Sequence, residues 1–189
     1  MPVTDVLAVL GRVAAALEEL SIPYAVSGAV AQNFWGIVRA TLDLDLLMVV
    51  PAIRQPALVE RLARDGARID LVGALRSLRE EHVRRFSFEG LPVEIFVPYL
   101  PFHASALRRA VNVSVAGRTY PVITAEDLVV LKALFHREKD WSDIAGIVLR
   151  QSPKFDREYV RGWLSSLVQQ GDERLRRLEE ILARADRPA

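Results

Sequence analysis

Between Val26 and Met48 the chain reads V-S-G-A-V-A-Q-N-F-W-G-I-V-R-A-T-L-D-L-D-L-L-M. Ile22 to Ser27 is a short apolar run rich in strand formers, and it stops at Ser27-Gly28. Ala29 to Trp35 then has helical spacing and closes at Gly36. Leu42 to Val50 reads as a second strand, ended by Pro51. Within it Asp43 and Asp45 are two apart, so the strand period sends both carboxylates to one face while Leu42, Leu44 and Leu46 take the other. Two like charges that close repel. A hard cation between them makes the arrangement favourable, and Mg2+ (or Mn2+) accepts carboxylate oxygens while keeping positions for water and substrate phosphates. D-x-D alone is equally a pair of solvated aspartates on an exposed strand face. Ser27-Gly28 shifts the balance: a glycine after a strand lets backbone approach a ligand, the next helix offers free N–H groups to anionic oxygens, and the Ser27 hydroxyl adds a donor.

The surrounding elements point to an α/β (α+β) fold. Thr4 to Leu20 is an amphipathic helix behind a Thr4 cap, suited to cover a sheet, and Gln55 to Asp65 is a short helix ended by Gly66. Phe86 to Phe88 and Leu91 to Val97 flank Glu89-Gly90 as a hairpin, and Val111 to Val115 and Thr119 to Ile123 flank Ala116-Gly117 in the same way. A mixed sheet follows. From Thr124 onward the apolar period is helical, with breaks at Ser152-Pro153 and Gln170-Gly171. The expected organisation is a core domain over 1–123 and a helical region over 124–189 packed on it.

Composition sets outer bounds. The 189 residues are 51% hydrophobic and 26% charged with a net charge of +1, and there is no cysteine. This excludes a disulfide framework, a thiolate metal site and a broad polyanion-binding surface. No stretch reaches the ~20 apolar residues needed to cross a bilayer, and Met1 to Leu10 lacks a basic n-region, so no membrane and a cytoplasmic location are expected. The only lysines among 25 basic residues are Lys132, Lys139 and Lys154. Two compact ammonium groups on a helix after the sheet suit phosphate neutralisation, with chance placement as the other reading. Asp140 and Asp143, three apart on a helix face, suit local ion pairs with Lys139 or Arg137. His82, His103 and His136 are dispersed without zinc spacing, and His103 falls in the loop after the strand that carries Glu94, where it borders a prospective acceptor pocket. Tyr24, Phe34, Trp35 and Trp163 lie at apolar positions and read as core. Arg76, Arg79, Arg84 and Arg85 form a local basic patch.

The stretch from Val26 to Met48 resembles the signature of the DNA polymerase beta-like nucleotidyltransferase superfamily, in which Gly-Ser or Gly-Gly precedes D-x-D. Arg39-Ala40-Thr41-Leu42-Asp43-Leu44-Asp45 is similar to the Arg-x-Thr-x-Asp-x-Asp of small bacterial AbiEii-type nucleotidyltransferases of type IV toxin-antitoxin systems. Thr124 to Ile144, which includes E-D-L-V-V-L-K132 and K139-D-W-S-D143-I, resembles the later E-D-L-x-x-L-K and K-D-x-x-D-I segments of that group. The resemblance spans roughly residues 10–150. It implies that Asp43 and Asp45 hold Mg2+, and that Ser27, Gly28, Arg39, Thr41, Lys132 and Lys139 bind nucleotide phosphates. The third carboxylate, an aspartate in the family, is Glu94 here, a metal ligand and catalytic group one methylene longer. Transfer of a nucleoside monophosphate from a nucleoside triphosphate to a hydroxyl of RNA, especially tRNA, or of protein is implied. The alternative is a nucleotidyltransferase-fold binding protein without turnover, partnered within a toxin-antitoxin pair.

Overall fold

The computed structural model describes residues 5–69 and 83–185. Thr4, Arg76, Arg79 and His82 lie outside the described residues, as does the side chain of Arg84. The chain divides into two compact units, one of Met1–Val30 with Ala40–Ile123, the other of Ala31–Arg39 with Thr124–Ala189.

The first unit is built on one mixed sheet of seven strands among the described residues. In chain order it contains α1 (Val6–Glu19), β1 (Tyr24–Val26), the start of α2 (Gly28–Trp35), β2 (Leu44–Met48), a 3-10 turn at Ala52–Arg54, α3 (Gln55–Arg64), β3 (Ala67–Arg68), β4 (Val83–Phe88), β5 (Leu91–Phe96), α4 (Pro101–Arg109), β6 (Val111–Val115) and β7 (Arg118–Val122). The strand order is β3-β4-β5-β2-β1-β7-β6, with β2/β5 and β1/β7 parallel and the other pairs antiparallel. Leu10, Val13, Ala14 and Leu17 of α1 are fully buried, each leucine contributing about 1.5–3 kcal/mol through its removal from water. The described cap of α1 is Asp5, whose Oδ1 accepts from Leu7 N–H at 2.9 Å.

Both hairpins follow the expected turn chemistry. Glu89 and Gly90 have φ of 48° and 87°, and Ala116 and Gly117 have 50° and 76°, so both central residues of each turn are left-handed and the strand twist is matched. Three features differ from the sequence reading. β2 begins at Leu44, leaving Asp43 just ahead of the strand and Leu42 in a bend, 69% exposed rather than buried with Leu44 and Leu46. The segment after β5 forms α4, with Pro101 in its first turn and Phe102 and Ala106 buried one turn apart, so His103 is helical and buried rather than in a loop. The two-residue β3 pairs with the end of β4.

The second unit holds the rest of α2 and four helices: α5 (Ala125–Phe135), α6 (Glu138–Gln151), α7 (Arg157–Leu167) and α8 (Glu173–Ala185). Thr124 caps α5, accepting from Asp127 N–H at 3.2 Å while its hydroxyl donates to Asp127 Oδ2 at 2.7 Å. α5 stops at His136, left-handed at φ 58°, with its N–H returned to the Lys132 carbonyl at 3.0 Å. Leu128, Val129, Ile144, Ile147, Val148, Val160, Leu164, Leu178 and Leu182 make the core of this unit. Gln151 Nε2 donates to the Trp35 carbonyl at 2.7 Å and ties α6 to the end of α2. Among the described residues no helix is long and apolar enough to cross a membrane.

Candidate active site

The ladder between β1 and β2 continues one residue past β1, where Ser27 N–H donates to the Asp45 carbonyl at 2.9 Å. Gly28 then turns the chain into α2 at φ 58°, a conformation costly for any residue with a Cβ. Space is the second constraint. A Cβ on Gly28 would stand 1.7 Å from Asp45 Oδ2 and 2.4 Å from Asp45 Cγ, so the carboxylate of Asp45 leans across β1 onto the bare backbone of this glycine. Ser27, beside it, is buried.

On the other side of β2, the parallel register pairs Asp45 with Glu94 of β5, and the antiparallel register pairs Glu94 with Arg85 of β4. Residues directly opposite in a ladder share a face. Asp45, Glu94 and Arg85 therefore form a row across three adjacent strands. Along β5, Leu91, Val93 and Ile95 are buried on the opposite face. Arg85 Nε donates to Glu94 Oε1 at 2.6 Å, with the Arg85 side chain 76% and that of Glu94 26% exposed.

Asp43 is exposed at the mouth of β2. The Thr41 hydroxyl contacts Asp43 Oδ1 closely and the Asp43 carbonyl at 3.2 Å, so Thr41 orients this aspartate. Asp43, Asp45, Glu94, Ser27, Gly28 and Thr41 all belong to the first unit. Their donor chemistry fits a hard divalent cation, with carboxylate oxygens from Asp43 and from Asp45, whose carboxylate is accommodated only because residue 28 has no Cβ. Among the described residues no group of three or more His, Asp or Glu side chains converges as a preformed metal cluster.

The other expected phosphate ligands belong to the second unit. Lys132 is buried, its Nζ 2.6 Å from Asp143 Oδ2 and 3.9 Å from Asp140 Oδ1. Arg39 reaches the same Asp143 oxygen at 3.4 Å, and its backbone is held at both ends by the Asn33 amide. Asp140 is fully buried and holds Arg137 through Nε at 2.6 Å, as the helix spacing suggested, whereas Asp143 serves Lys132 and Arg39 rather than Lys139. Lys139 is exposed on the first turn of α6. His103 is buried, with Nδ1 accepting from Tyr99 N–H at 3.4 Å.

No family model and no curated protein matches the chain. Among solved structures it is similar to the antibiotic-resistance factor ANT(2'')-Ia, at a TM-score of 0.53 and 14% identity over 94% of this chain and 89% of that one. A second structure of ANT(2'')-Ia, in complex with adenylyl-2''-tobramycin, aligns at 0.51 and 13% identity over 95% of both chains. The lincosamide antibiotic adenylyltransferase LnuA, bound to lincomycin, aligns at 0.50 and 14% identity over 73% of this chain and 93% of that one. At these identities the likeness is one of fold, and the fold is that of nucleotidyltransferases.

Proposed function

We propose that the chain transfers a nucleoside monophosphate from a nucleoside triphosphate to a hydroxyl group, using the row of side chains at the mouth of β2. The observation that carries this reading is the Asp45 carboxylate seated against Gly28, where β1 turns into α2, with Glu94 its ladder neighbour on the same face. Asp43 and Asp45 would hold a divalent cation, whose chemistry is the neutralisation of triphosphate charge. Ser27 and the N–H groups at the start of α2 receive phosphate oxygens. Glu94 accepts the proton of the acceptor hydroxyl. The acceptor oxygen bonds to the α-phosphorus, the bridging bond to the β-phosphate breaks, and its electron pair leaves with pyrophosphate.

The sequence resemblance favours RNA or protein as the acceptor, and the structural neighbours, one bound to adenylyl-2''-tobramycin and another to lincomycin, favour a small polyhydroxylated molecule. Each labelled nucleoside triphosphate is incubated with Mg2+ and, in separate arms, total RNA, lysate protein, or tobramycin and lincomycin. Label transfer with pyrophosphate release in one arm, abolished by Asp45→Asn, supports the reading and names the class. Nucleotide binding should require the divalent cation. No transfer in any arm, with Mg-nucleotide still bound, would leave the alternative, the binding protein of a toxin-antitoxin pair.

A further inference from the structure

We infer that Arg85 is a positioning residue that holds Glu94 out of the metal site and assigns it to the acceptor. This rests on the nucleotidyltransferase reading above. The two carboxylates that neighbour each other in the β2/β5 ladder point apart: Asp45 leans over Gly28 on the β1 side, and Glu94 is drawn to Arg85 on the β4 side. Strand spacing puts their backbones about 5 Å apart. At that spacing a glutamate has two reachable directions, toward a like charge on β2 or toward a guanidinium on β4. Coulomb's law selects the second.

The extra methylene then acquires a purpose. An aspartate on β5 would keep its carboxylate close above the strand, whereas Glu94 spans toward β4, where its Oε1 accepts from Arg85 Nε. Its other oxygen would take the acceptor hydroxyl, and Asp43 and Asp45 would hold a divalent cation without it. Because Arg85 is largely exposed, its pair with Glu94 adds little to folding stability, so its removal changes the site and leaves the fold.

The test is Mn2+ binding to the full chain without nucleotide, followed by paramagnetic resonance or calorimetry. Asp45→Asn should weaken Mn2+ by at least about tenfold, whereas Glu94→Gln in the otherwise native chain should leave it unchanged within about twofold. Arg85→Ala should bind Mn2+ more tightly, because Glu94 is released toward Asp45, and adding Glu94→Gln to that variant should remove the gain. Arg85→Lys, which restores the cation, should return the native pattern. In transfer assays Arg85→Ala should lower kcat with KM for the Mg-nucleotide little changed. If Glu94→Gln costs as much Mn2+ affinity as Asp45→Asn, Glu94 is a metal ligand and the inference is overturned while the transferase reading stands. If Asp45→Asn itself leaves Mn2+ untouched, the metal reading fails, and this inference with it.

Discussion

Gly28 meets two demands that no other residue meets together, a left-handed backbone and a space already taken by the Asp45 carboxylate. The left-handed conformation alone costs a residue with a Cβ about 1–2 kcal/mol. The contact is worse, since Oδ2 of Asp45 must swing away before any Cβ fits. Gly28→Ala is therefore expected to lower the melting temperature by roughly 3–8 °C and, separately, to abolish nucleotidyl transfer because Asp45 is displaced. Thermal denaturation and the transfer assay read the two effects independently. A variant that melts lower yet transfers normally would mean that the position of Asp45 is not what Gly28 protects.

Among the secondary-structure elements, the β6–β7 hairpin carries a removable cost. Ala116 sits left-handed at φ 50° in a turn whose usual first residue is asparagine or glycine. Ala116→Asn should stabilise the chain by up to about 1 kcal/mol, measured by denaturant unfolding. In β1, burial raises the Tyr24 hydroxyl well above its ordinary pKa, reinforced by its hydrogen bond to Glu18 at 3.0 Å. A raised folded-state value means that the stabilisation is fully present below the unfolded pKa of about 10. It is lost as pH rises beyond that toward the folded value. Tyr24→Phe should flatten this alkaline loss in melts between about pH 9 and 11, and an unchanged alkaline limb would assign the loss to other groups. What the sequence made legible follows the same physics. Paired turn residues at Glu89-Gly90 and Ala116-Gly117 announced both hairpins, and counting back from Glu89-Gly90 already sets Arg85 opposite Glu94. The D-x-D alternation was only half readable, because the Thr41 hydroxyl bonds the Asp43 side chain and carbonyl and competes with the ladder there. α4 has a short apolar face that mimics loop composition, the two residues of β3 carry no period, and the break at His136 lacks the glycine that usually marks one.

Across the whole chain, 25 basic residues are balanced by 24 acidic ones. Many of the arginines are already paired: Arg12 with Glu89, Arg61 with Glu19, Arg118 with Glu18, Arg161 with Glu158 and Glu179, and Arg177 with Glu138. A guanidinium engaged this way gives up its carboxylate before it takes a phosphate, so these pairs oppose a general polyanion surface even where arginine is abundant. Nucleic-acid affinity built on phosphate contacts falls with salt at a slope of about −0.7 per neutralised phosphate for single strands. The chain is accordingly expected to bind bulk RNA weakly, with a slope no steeper than about −1.5 in filter binding between roughly 50 and 200 mM salt. Transfer to a small hydroxylated acceptor should keep its rate over the same range, because its site chemistry lies at the end of β2 and needs no extended cationic track. A slope of about −4 or steeper would mean that five or more phosphates are neutralised. That result would move the acceptor from a small molecule to a polynucleotide.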